Sequence, residues 1–141
     1  MAIVAVMLFF CNPFGQSINN KNRMQIAEDE IKHAIHFARS QALLQGKNLV
    51  LSHLPDTNDW SAGMLLFTDN ASHQHEPGAT LIHEWHWQHR GIHITWQGFQ
   101  SNEHLLFASD IRHSALNGYF LIQSNTQQRK IIINRLGRIK Q

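Results

Sequence analysis

The sequence predicts an α+β fold, with one long N-terminal helix followed by a sheet-rich remainder. Three observations carry that prediction. Apolar residues recur every three or four positions from Gln16 to Gln45, the period of an amphipathic helix. After Gly46 the period shortens, and brief runs rich in β-branched and aromatic residues follow one another to the end of the chain. A helix followed only by strands is an α+β layout.

The first element is the apolar run Ala2–Cys11, AIVAVMLFFC. It has about half the length that a membrane-spanning helix needs. It has no basic flank and no small-residue cleavage signature, so it does not read as a secretory signal peptide. The stretch NPFG, Asn12 to Gly15, is expected to break the pattern. Between Gln16 and Gln45 the apolar stripe is Met24, Ala27, Ile31, Ala34, Ile35, Ala38 and Ala42, while Lys21, Arg23, Glu28, Asp29, Lys32 and Arg39 lie on the facing side. Small residues in the stripe suit a helix that docks on something flat, and Gly46 is a fitting stop.

Seven strands are expected next: Asn48–His53, Met64–Thr68, Thr80–His89, Ile92–Trp96, Leu105–Ala108, Gly118–Gln123 and Lys130–Asn134. Turn-forming clusters separate them, among them PDTND, DNASHQHEPG, GFQSN, SALNG and SNTQQ. The 141 residues suffice for one domain, or a domain plus an anchor, with a real core. The lone cysteine, Cys11, excludes a disulfide framework within one chain and a Cys-based metal site.

Charge is unevenly placed. From Ile111 to Gln141 there are six basic residues, Arg112, Arg129, Lys130, Arg135, Arg138 and Lys140, and no acid. The first 110 residues hold the other six cations and all ten acids, which leaves them at about −4. A positive end of this kind points to a polyanion or an acidic neighbour, or to a solvated basic surface. The eleven histidines charge below about pH 6.5, so the surface becomes more cationic in acid.

The segment HEWHWQH invites a zinc reading through His83, His86 and His89. On a strand, His83, Trp85, Trp87 and His89 share one face, and Glu84, His86 and Gln88 the other. The three rings therefore do not converge, and adding His93 or His75 fits no standard zinc spacing. Asp56, Asn58 and Asp59 resemble part of a calcium loop but lack its glycine and its distant glutamate. A turn with Asx-type bonds explains them better. Asn70-Ala71-Ser72 is a formal glycosylation sequon. No catalytic signature is present, so an enzyme is not expected, nor is a cofactor. Trp60, Trp85, Trp87 and Trp96 suit a small core, the alternative being stacking on single-stranded bases.

The chain closes with IIINRLGRIKQ. Arg135-Leu136 reads as the exit of a strand, Gly137 as a turn or kink, and Arg138 and Lys140 as cations on one side of a short extended tail. Their separation is near that of neighbouring phosphates, which suits contact with a nucleic-acid backbone without base readout. A frayed basic terminus is the plainer alternative.

The segment NRMQIAEDEIKHAIHFARSQALLQGKNLVL resembles the helix-to-first-strand region of the GspH/FimT family of minor pseudopilins. FARSQAL, QGKNLVL, DWSAGMLLFTD and the closing GR carry the resemblance, which spans roughly residues 13–141. It implies a pilin-like fold, a long N-terminal α-helix packed on an antiparallel β-sheet head. Residues 1–23 are then a truncated hydrophobic segment for the inner membrane and the filament core, and 24–141 a head displayed in the periplasm or outside the cell. The prepilin signature, a basic leader before Gly-Phe-Thr-Leu-Ile-Glu-Leu, does not occur here. MAIVAVMLFF looks like the segment that follows it. The expectation is an upstream start or a lost leader; a lost leader precludes cleavage and N-methylation.

FimT-like members include proteins that bind DNA during natural transformation through Gly-Arg-x-Arg. Here the motif reads Gly137-Arg138-Ile139-Lys140. Lysine at the last position keeps the charge and loses the bidentate fork. The resemblance thus implies a structural subunit of a type IV pilus. Its expected partners are other pilin subunits, the inner membrane and DNA, the last through Arg129, Lys130, Arg135, Gly137, Arg138 and Lys140. The alternatives are a GspH-like subunit of a type II secretion system without DNA binding, and a His-rich metal-binding surface protein.

Overall fold

The computed structural model describes residues 2–114 and 116–140, with side chains from Asn22 onward except at position 111. Helix α1 spans Ala2–Gln45. It runs unbroken through Asn12–Gly15, where the sequence predicts an interruption. Proline deletes one backbone donor, but propagation from established turns on either side outweighs that loss. The helix stops where expected, at Gly46 with φ 61°, a left-handed cap that glycine adopts without Cβ strain. No helix among the described residues is long and apolar enough to cross a membrane.

Eight strands follow among the described residues: β1 Leu49–His53, β2 Gly63–Thr68, β3 Leu81–His86, β4 His93–Gly98, β5 His104–Phe107, β6 Gly118–Gln123, β7 Gln128–Ile133 and β8 Ile139–Lys140. They form two antiparallel four-stranded sheets, ordered β3-β2-β1-β5 and β4-β6-β7-β8. The fold is therefore the expected helix on antiparallel sheet, with a short 3-10 turn, Ile111–His113, between β5 and β6. The expected strand through His89 ends at His86. One further backbone bond, Trp87 N to Ala62 O at 2.9 Å, follows the last pair Gly63↔His86, and the Trp87 ring is buried. The expected tail is itself a strand, β8, paired to β7 at Ile132↔Lys140 and Ile133↔Ile139.

Every residue of the predicted helix stripe from Met24 to Ala42 is at most 1% exposed. Its alanines let the backbone lie close to Leu49, Leu51 and Leu66 of the first sheet and to Phe120, Ile131 and Ile133 of the second, all in one cluster. The first sheet is covered on both faces: Val50, Leu65 and Phe67 form a separate cluster with Leu54. That explains the nearly continuous apolar reading of β1 and β2, since a strand buried on two faces needs no alternation. The sheets are tied at Trp60, whose amide donates to Ile94 O at 3.0 Å and whose ring meets Phe120 edge-on at 5.3 Å. Trp60, Trp87 and Trp96 are core residues and Trp85 is half-buried.

Candidate functional site

The β7–β8 hairpin carries the predicted cations, and Asn134 shapes it. Its Oδ1 accepts from the amides of Leu136 at 3.0 Å and Arg138 at 2.9 Å. Its own amide donates to Arg138 O at 2.9 Å, and its carbonyl accepts from Gly137 N at 3.0 Å. Gly137 completes the turn with φ 80°, in the region that L side chains rarely adopt. A Cβ there would lie 2.9 Å from Leu116 Cδ1 and 3.6 Å from Arg39 Cδ. The turn is thus pressed against α1 and not frayed.

Strand parity separates the cations. Ile131 and Ile133 face the core, so Arg129 shares their side while Lys130 and Ile132 face outward. Lys130 Nζ lies 4.9 Å from the centroid of Tyr119, a cation–π contact. Lys140, opposite Ile132, is exposed beside it. Arg129 turns the other way: its Nη1 donates to Glu28 Oε2 at 2.9 Å and to Gln25 Oε1 at 3.0 Å. Of the predicted cations, Arg129 is the one whose charge is engaged with the helix. Burial raises the Glu28 carboxyl pKa, but hydrogen bonds and charge from Lys32 and Arg129 more than offset this and hold it below the ordinary value.

Arg138 lines a shallow cavity of about 370 Å³ together with Lys32, His36, Arg39 and Ile139. Lys32 pairs with Glu28 at 3.0 Å, whereas Arg39 and Arg138 have no carboxylate partner among the described residues. Lys32, His36 and Arg39 are four and three apart and so share a helix face. The spacing signals a stripe; that the stripe meets the C-terminal turn is visible only in three dimensions. Arg135 turns toward the 3-10 segment, its Nη2 donating to Arg112 O at 3.4 Å. The site is therefore a cationic ridge around one hairpin, with a chemistry suited to a polyanion backbone.

The histidines go separate ways. His83 packs on Trp85 with ring centroids 4.4 Å apart, His86 Nε2 meets Glu84 at 2.8 Å, and His89 Nε2 meets Glu30 at 2.8 Å. His93 Nδ1 lies 3.1 Å from Asp59, and His75 packs on Phe67. Among the described residues no three His, Cys, Asp or Glu side chains are grouped to hold a metal ion. Asp59 Oδ1 accepts from Ser61 N at 3.0 Å, the turn role predicted for PDTND.

Comparison with known proteins agrees with this architecture. A family model described as type II transport protein GspH matches residues 27–137. The type IV minor pilin FimU of Pseudomonas aeruginosa is similar in structure, with TM-score 0.65 and 22% identity over 86% of this chain and 89% of FimU. The minor pseudopilin EpsH from the type 2 secretion system of Vibrio cholerae aligns with TM-score 0.56 and 11% identity, over 84% of this chain and 94% of EpsH. No curated protein matches the sequence.

Proposed function

The chain belongs to the GspH family of type II transport proteins, and from that premise we propose that it is a FimT-like minor pilin of a type IV pilus that binds DNA without sequence preference during uptake. The family is one of minor pilins and pseudopilins, structural subunits of pili or secretion pseudopili. Other pilin subunits are accordingly its first partners. Residues 1–23 are assigned to the filament core and inner membrane, and 24–141 to the exposed head.

The observation that carries the DNA reading is the β7–β8 turn. Gly137 lets the chain reverse, and Arg135, Arg138 and Lys140 are all exposed around it, with Lys130 on the outer sheet face. Arg39 and His36 border the same turn through the cavity that Arg138 lines. Such a ridge suits phosphates spaced along a backbone, which Lys140 and Lys130 bind as point charges and the arginines as forks. Arg129, held by Glu28, supports the hairpin and leaves DNA contact to the others. The test is duplex DNA binding by the 141-residue chain at low salt, compared with Arg138→Ala/Lys140→Ala. A large loss of affinity in the double variant is expected. Equal affinity refutes the assignment of the turn.

A second reading, a subunit of a type II secretion pseudopilus without DNA binding, is favoured by the description of the matching family model. Genomic neighbours separate the two: pilus genes support the first and secretion genes the second.

A further inference from the structure

Phe99 is 84% exposed, the most exposed of the large apolar side chains described. The loop that carries it is fastened from several directions. Trp96 Nε1 donates to Ser101 O at 2.9 Å, Gly98 N to Asn102 Oδ1 at 3.1 Å, and Phe99 N to Asn117 O at 2.9 Å. The flanking glycines leave no slack: a Cβ on Gly98 would lie 2.1 Å from Ser101 O, and one on Gly118 2.4 Å from Gln97 O. A loop so constrained does not bury its ring by relaxing inward, so the aromatic face stays on display.

Beside the ring is a cavity of about 390 Å³ that Arg112, His113 and Arg135 also line. Arg135 Nη2 bonds to Arg112 O at 3.4 Å, which joins the β7–β8 turn to the 3-10 segment. The acid that precedes that segment, Asp110, is occupied locally: Oδ1 accepts from Arg112 N at 3.1 Å and Oδ2 lies 3.2 Å from His113 Nδ1.

An open aromatic face beside two guanidinium groups matches a nucleobase and its adjoining phosphates. A base stacks on such a face only when it is out of the duplex. We infer that Phe99, Arg112 and Arg135 form a subsite for the unpaired nucleotides of single-stranded DNA. The inference rests on the DNA reading above and extends it, because Arg135 belongs to the same turn as Arg138.

The experiment measures affinity of the 141-residue chain for a short oligothymidine strand and for a blunt duplex of equal length, at one ionic strength. Phe99→Ala is expected to weaken single-strand binding by about five- to hundredfold, the range of one stacked base, with duplex affinity unchanged and with Phe99→Trp restoring the loss. Arg112→Ala should weaken the single strand more than the duplex. Unchanged single-strand affinity in Phe99→Ala overturns the subsite, including the case in which that variant alters only self-association. Failure of the unaltered chain to bind either DNA overturns both readings. Loss in Phe99→Ala with full retention in Arg138→Ala/Lys140→Ala supports the subsite and refutes the turn alone.

Discussion

Arg129 on β7 donates to Glu28 on α1, Nη1 to Oε2 at 2.9 Å, and so clasps the second sheet to the helix. Lys32 reaches the other oxygen of the same carboxylate at 3.0 Å. The clasp flanks the packed stripe, at a helix position between Ala27 and Ile31, and it removes one cation from the exposed set around the hairpin.

The clasp sets an acid dependence. The Glu28 pKa is lowered in the folded chain, so its stabilisation is complete above the unfolded value near pH 4.3 and is lost as pH falls through the lower folded value. Glu28→Gln should reduce stability at neutral pH by about 0.5–1 kcal/mol, because both partners are partly solvated. Urea titrations of the two proteins should converge as pH falls below the lowered folded value of that carboxylate, where it is protonated in both states. A gap as wide in acid as at neutral pH contradicts the assignment.

Two glycines should answer differently to alanine. Gly137→Ala strains a left-handed turn and crowds the mobile end of Leu116, costing about 1–2 kcal/mol. Gly63→Ala would place a Cβ 1.9 Å from the backbone oxygen of Trp85, which has no flexible end to yield, and should cost about 3 kcal/mol or more. Thermal unfolding should rank the parent above Gly137→Ala, and that above Gly63→Ala. The reverse order of the two variants would show that the close β2–β3 approach is not what requires glycine.

His104 should make the protein less stable in mild acid. Its ring stacks on His73 with centroids 5.2 Å apart, and His73 Nδ1 meets Asp69 at 2.6 Å. Burial lowers the His104 pKa and His73 lowers it further, while Asp69 and Glu103 oppose without reversing the shift. The unfolded chain therefore takes up the proton first. Stability is full above about pH 6.5 and declines as pH falls toward the lowered value. His104→Gln should flatten that part of the urea-midpoint profile, and an unaltered slope would assign the loss to other histidines.

Much of this was readable from residue order. The stripe Met24–Ala42 is the buried stripe because the 3.6 period and small side chains together define a docking face. Parity along RKIII already separates Arg129 from Lys130 once Ile131 and Ile133 are taken as inward. Two residues, Ile139 and Lys140, hold no periodic signal, so β8 is legible only through Asn134, whose side chain closes the turn. The helix through Pro13 escapes a local reading because propagation from both sides overrides one missing donor. Arg39 and Arg138 line one cavity and Phe99 and Arg135 another, which joins segments far apart in sequence, and no local pattern encodes such placements.

The most direct measurement is the salt dependence of duplex DNA binding by the 141-residue chain. Contact through Lys130, Arg135, Arg138 and Lys140 predicts that log affinity falls against log salt with a slope of about 3–4, at about 0.9 per phosphate. Arg138→Ala/Lys140→Ala should lower that slope by about 2. A slope unchanged by the double substitution, or no binding at low salt, contradicts the claim that the β7–β8 turn captures DNA.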